Sequence, residues 1–148
     1  QPTFHAPALK LANISSFWAL VLSEPCPAMQ ALAAAAVERL DSFRAPPAAA
    51  ELAKRRRAGL TPSQEDLLER WGYPYVMKEF RFHMTLTGRL GGEERGLVGD
   101  ILQDMAAPLC RDLLRIDAIS LFQQPTRSAP FRMFGRYRLA GAKQQATA

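Results

Sequence analysis

The sequence predicts an α+β fold, and three stretches carry that prediction. Residues 15–22 are almost wholly apolar, which is the composition of a strand at the centre of a sheet. Residues 80–87 alternate, with Phe80, Phe82, Met84 and Leu86 on one side and Arg81, His83, Thr85 and Thr87 on the other. That is the two-residue period of an extended segment with one packed face. Between these strands, Met29, Leu32, Ala33, Ala36, Val37 and Leu40 recur at intervals of three and four, the stripe of a helix laid on a sheet.

The elements follow in order. Residues 2–11 and 15–22 read as the first two strands, and Pro25 and Pro27 open the helix that carries the Met29 stripe. Ala45, Pro46 and Pro47 break the chain, after which the alanine- and arginine-rich residues 48–58 predict a short helix ending near Gly59. Thr61, Pro62 and Gln64 have the spacing of a capping box and start another helix, through about Arg70. These two helices form an insertion at about residues 46–70, and residues 71–75 make an aromatic turn into the His83 strand. A glycine-rich turn at residues 88–92 precedes a helix over 93–107 with Leu97, Ile101, Leu102 and Met105 directed inward. Residues 116–122 and 131–139 read as closing strands. Residues 1–140 form one domain, and the polar residues 141–148 are a flexible tail.

A chain of 148 residues with 48% hydrophobic composition can bury roughly two-thirds of its unfolded surface in one core. No apolar run approaches the ~20 residues that span a bilayer, and no signal-peptide pattern opens the chain, so no membrane partner is expected. Cys26 and Cys110 match no metal or redox spacing and suit a reducing cytoplasm. The net charge of +5 favours an anionic partner, either a small phosphate ester or a nucleic acid. Basic residues gather at Lys54, Arg55, Arg56 and Arg57, a solvated helix face or an RNA-backbone contact, and again at Arg132, Arg136 and Arg138 along one strand face.

The polar row of residues 80–87 carries the chemistry. A cation, an imidazole and two hydroxyls facing one way can hold a phosphate beside a group that gives or takes a proton. Read alone, His83 is more often a hydrogen-bonded structural residue and Arg81 a solvated edge cation, and Thr87 is as readily ordinary strand filler. Tyr73 and Tyr75 could stack on a ribose or base, or simply pack the turn on Trp71.

The string His83-Met84-Thr85-Leu86-Thr87, with Arg70 to Val76 and Phe80-Arg81-Phe82 before it, resembles the second signature of the two-histidine (2H) phosphoesterases. Within that superfamily it is most similar to the branch of phosphonate metabolism proteins, and the likeness runs over about residues 4–139. The resemblance implies two similar lobes, each an antiparallel sheet backed by helices, facing each other across a cleft. Each lobe supplies one His-x-Ser/Thr strand, and the histidines act as general acid and base on a phosphodiester, often cyclic, without metal or cofactor. On this reading His83 and Thr85 are the catalytic pair, while Thr87, Arg81, Tyr73 and Tyr75 contact substrate.

The chain departs from that pattern in holding only one such motif. His5 precedes Pro7 where the hydroxyl should stand and matches a non-catalytic strand instead. The first motif is expected upstream of Gln1, so the N-terminal part of the first lobe is expected to be missing, and self-association through an open sheet edge is left possible. Two function classes stay open. One is a metal-independent phosphodiesterase for a small cyclic phosphate, such as a phosphoribosyl cyclic phosphate from phosphonate breakdown. The other is a non-catalytic module that binds a phosphate ester or an RNA end.

Overall fold

Proline decides the first division of the chain. In the computed structural model, which describes residues 1–126 and 128–141, the expected strand over 2–11 is two strands. Pro7 has no N–H to continue a ladder, so the chain changes partner there. Strand β1 (Phe4–Ala6) pairs antiparallel with β5 (Leu114–Ile116), whereas β2 (Leu9–Ile14) pairs antiparallel with β3 (Phe17–Leu22). Ser15, at φ +58°, supplies the positive φ that a two-residue hairpin turn demands.

Strand β4 (His83–Thr85) adds antiparallel to the other side of β3, giving the order β2-β3-β4. The apolar β3 is thus central, as its composition requires, and its Ala19 and Leu20 are buried. Strand β4 is much shorter than the alternating stretch. A single 3₁₀ turn, Met77–Glu79, ends at Phe80, and beyond Thr85 two backbone bonds follow, the Leu86 N–H on the Trp18 carbonyl at 2.9 Å and the Leu90 N–H on the Ser16 carbonyl at 2.8 Å.

One face of this sheet forms the core. Leu9 and Leu20 pack with Ala106 of helix α4 (Gly92–Ala106), and Leu11, Leu22, Phe82, Cys110 and Leu114 close around them. The Trp18 indole lies against the same helix, its Nε1–H donating to the Arg95 carbonyl at 2.9 Å. Gly99 sits beneath the ring, and a Cβ there would overlap the indole.

That contact overturns the expected inward stripe of α4. Gly99 and Ala106 are buried and Leu102 is half-buried, while Leu97, Ile101 and Met105 are 69%, 60% and 67% exposed. The helix carries apolar residues on two sides. The side with the small residues is the one that lets Trp18 approach, so the bulky side faces out.

The opposite face of the sheet meets α1 (Pro27–Leu40), whose Met29 is buried. Gln30 Nε2 donates to the Met77 carbonyl at 2.6 Å, tying α1 to the turn that leads into β4. Helices α2 (Ala49–Arg56) and α3 (Pro62–Trp71) lie between α1 and β4 in sequence. The Thr61 capping box is formed, with Gln64 N–H on Thr61 Oγ1 at 3.3 Å and Thr61 N–H on Gln64 Oε1 at 3.1 Å. Gly72, at φ +70°, ends α3 in the left-handed conformation. Arg56 Nε donates to Glu65 at 2.7 Å, joining α2 to α3, and this bond and the charge of Glu65 raise the arginine's pKa above its ordinary value.

The expected closing strands do not extend the main sheet. Ile116 ends β5, and β6 (Ala118–Gln123) and β7 (Arg132–Arg138) pair only with each other, antiparallel, with an irregularity between Leu121 and Phe122. The fold is therefore α+β with antiparallel sheets. No helix among the described residues is long and apolar enough to cross a membrane. Residues 142–148 of the expected tail lie outside the described residues.

Candidate functional site

Register places the site. In an antiparallel sheet, directly paired residues point to the same face. Val21 pairs with Lys10 on one side and His83 on the other, making one cross-strand row, and Ala12, Ala19 and Thr85 make the next. His83 and Thr85 thus leave β4 on one side, away from the face where Leu9 and Leu20 build the core. Lys10 lies two strand spacings from His83, about 10 Å between backbones.

Between this face and α1 is a concavity of about 1020 Å³, lined by Lys10, Val21 and His83 from the sheet and by Met29 and Gln30 from the helix. Lys78 and Arg81 bring further positive charge to its wall, and Glu24 brings one carboxylate. The concavity is cationic beside an imidazole, which suits an anionic ligand.

The protonation pattern of the imidazole follows from one contact. His83 Nδ1 lies 2.9 Å from the Arg81 carbonyl oxygen, and a carbonyl can only accept, so Nδ1 carries the hydrogen. In the neutral ring Nε2 is left with a lone pair, the form a general base requires. The Phe17 ring stands 6.4 Å from the imidazole, centroid to centroid, tilted at 45° to it. The side chain of His83 is exposed, so a ligand can reach it.

The expected site residues divide into groups. Arg81 meets His83 through its carbonyl on Nδ1 and is one of the residues that line the concavity. Thr85 is exposed on the same face but outside the residues that line the concavity. The Thr87 hydroxyl accepts from the Trp18 N–H at 3.0 Å and donates to the Gly88 carbonyl at 2.9 Å, so it ties the segment after β4 to the start of β3. Tyr73 and Tyr75 lie elsewhere, edge to face at 5.6 Å, with the Arg55 guanidinium 4.5 Å over the Tyr73 ring.

His5 sits on β1 opposite Arg115, in a different sheet from His83. Arg136 and Arg138 turn to Asp117, at 3.5 and 3.9 Å, where Arg115 joins them at 3.6 Å. Lys10 and Lys78 were not among the expected site residues. Lys10 is the polar residue between Leu9 and Leu11 in an alternating strand, a visible signal, but only the β2-β3-β4 register brings it into line with His83.

Comparison with known proteins adds the family. Residues 1–132 match the family described as "Protein of unknown function (DUF1045)". A protein of Janthinobacterium sp. (strain Marseille) named ribose 1,5-bisphosphate phosphokinase PhnN is 36% identical over 143 residues, covering 94% of this chain and 32% of that protein. A protein of the same name from Laribacter hongkongensis (strain HLHK9) is 36% identical over 103 residues, covering 69% of this chain and 23% of its own length. The chain thus spans about a third or less of the curated relatives it matches. No solved structure matches it. Matched over all but its last residues, the chain belongs to the DUF1045 family.

Proposed function

We propose that His83 is a general acid/base in the hydrolysis of a small phosphodiester, with a phosphoribosyl cyclic phosphate as the favoured substrate class. The observation that carries this reading is the exposed imidazole with Nδ1 held by the Arg81 carbonyl and Nε2 open, in a concavity walled by Lys10, Lys78 and Arg81. Neutral His83 would take a proton through Nε2 from a water whose oxygen attacks phosphorus. As the P–O bond to the sugar breaks, the leaving oxygen takes a proton from a second acid. The cations stabilise the charge that builds on the phosphoryl oxygens, and the Thr85 hydroxyl, on the same face, donates to one of them. Such a bond to a charged oxygen is worth about 1.5–3 kcal/mol.

The resemblance to the two-histidine phosphoesterases supports the same roles, and the phosphonate branch supports the substrate class. The relatives' printed name concerns a ribose bisphosphate, which also fits a phosphoribosyl ligand. Their kinase activity is not carried over to this chain, whose glycines include no Gly-x₄-Gly-Lys-Ser/Thr string for cradling nucleotide phosphates. A cytoplasmic setting belongs to this proposal as well.

One observation favours a second reading. His5 is in another sheet, so the concavity receives one imidazole from the described residues. A site with one such group and several cations could bind a phosphate ester without turning it over. Assay of ribose 1,2-cyclic phosphates and nucleoside 2′,3′-cyclic phosphates with excess chelator, using the chain alone and in its native reading frame, separates the two. The enzyme reading predicts turnover in the native frame that falls by about 10²–10⁴-fold in His83→Ala. Binding without turnover in either form supports the binder, and turnover untouched by His83→Ala overturns the assignment.

A further inference from the structure

A second concavity, of about 660 Å³, lies between α2 and the turn after α3, and it shares no lining residue with the one at His83. Its walls are Ala50, Glu51, Lys54 and Arg55 from α2 and Pro74 and Tyr75 from the turn. Two features that read separately in the sequence, the basic run at residues 54–57 and the aromatic turn at 71–75, are brought together here.

The two walls differ in chemistry. Pro74 is fully buried and anchors the turn, leaving Tyr75 43% exposed with its ring fixed edge to face against Tyr73. Tyr73 is in turn covered by the Arg55 guanidinium at 4.5 Å. An exposed aromatic ring held rigidly on a cavity wall is a stacking platform for a planar group. Opposite it, Arg56 is committed to Glu65 and Glu69 on α3. Arg55 shares one N–H with Glu51 at 3.1 Å, and its Nε is buried without a hydrogen-bond partner. Lys54 has no ion-pair partner among the described residues, so its charge is available to a ligand. The single Glu51 carboxylate offsets part of this charge. Small Ala50 leaves room on the helix side.

We propose that this concavity is a nucleotide-binding site separate from the His83 centre, taking the base on Tyr75 and the phosphate at Lys54 and Arg55. The preferred ligand is a 5′-mononucleotide, planar at one end and anionic at the other. Inorganic phosphate and ribose 5-phosphate offer the anion without the ring, and adenosine offers the ring without the anion. The site goes beyond the phosphodiesterase reading and stands whether or not His83 is catalytic.

Calorimetric titration of the full chain with AMP, adenosine and ribose 5-phosphate tests it, with Tyr75→Leu, Lys54→Gln and His83→Ala beside the wild type and circular dichroism to verify folding. The proposal predicts that AMP binds at least tenfold more tightly than either partial ligand. Tyr75→Leu is predicted to remove the advantage over ribose 5-phosphate, and Lys54→Gln the advantage over adenosine. His83→Ala is predicted to leave AMP affinity unchanged. AMP that binds no better than ribose 5-phosphate, fails to bind, or is lost in His83→Ala while retained in folded Tyr75→Leu overturns the site.

Discussion

Thr85 and Thr87 show how two identical side chains, two residues apart, take different work from their surroundings. Thr87 Oγ1 accepts from the Trp18 N–H and donates to the Gly88 carbonyl, which spends both of its hydrogen-bonding roles on the backbone. Thr85 is exposed beside His83. Thr87→Val is therefore expected to cost about 1–3 kcal/mol of stability by leaving the Trp18 N–H without its acceptor, whereas Thr85→Val should stay within about 0.5 kcal/mol. Urea denaturation of both variants checks this, and equal losses would contradict the division. The alternation of residues 80–87 indicated the face that His83 and Thr85 share. It could not show that Thr87 meets a backbone N–H, because that contact depends on where the Trp18 strand lies.

At the scale of elements, the local signals were read most fully where they act over few residues. The Thr61 capping box is fixed by side chains within one turn, and it stands as the sequence indicates. Thr61→Ala is expected to lower stability by about 1 kcal/mol, measurable as a fall in the urea midpoint at constant slope. The orientation of α4 was not legible. Its sequence offers an apolar ridge and a line of small residues, and the choice between them rests on Trp18, some eighty residues earlier. Gly99→Ala tests that choice. Although alanine favours helix by about 1 kcal/mol, its methyl would overlap the indole, so a net loss of about 1–3 kcal/mol is expected. A gain in stability would mean that Trp18 does not press on this helix. The division at Pro7 belongs to the same scale, since a residue without an N–H signals a break but not which strands its two halves will join.

Across the whole molecule, many apolar side chains remain at the surface, and two groups of them stand out. Leu97, Ile101 and Met105 form a ridge on α4, and Phe122, Met133 and Phe134 are exposed on the β6-β7 ribbon. Patches of this kind promote association. Sedimentation of the chain alone is expected to show species larger than a monomer at high concentration, and the double variant Leu97→Gln, Ile101→Gln is expected to shift them toward the monomer. A wild-type chain that stays monomeric throughout would contradict this. Hydrophobic patterning indicated the α+β class and composition the basic character, but the way the sheets divide the chain arises from pairings far apart in sequence. The same division sets what lines the His83 concavity, with cations from β2 and the turn before β4, and leaves His5 in another sheet.

The chain holds two histidines, so each imidazole can be followed separately by ¹⁵N-detected NMR. Titration with a non-hydrolysable phosphodiester analogue is predicted to shift the His83 Nε2 resonance strongly, with Nδ1 remaining the protonated nitrogen of the neutral ring and His5 unaffected. Binding of that phosphodiester analogue with the His83 Nε2 resonance unmoved would contradict the account.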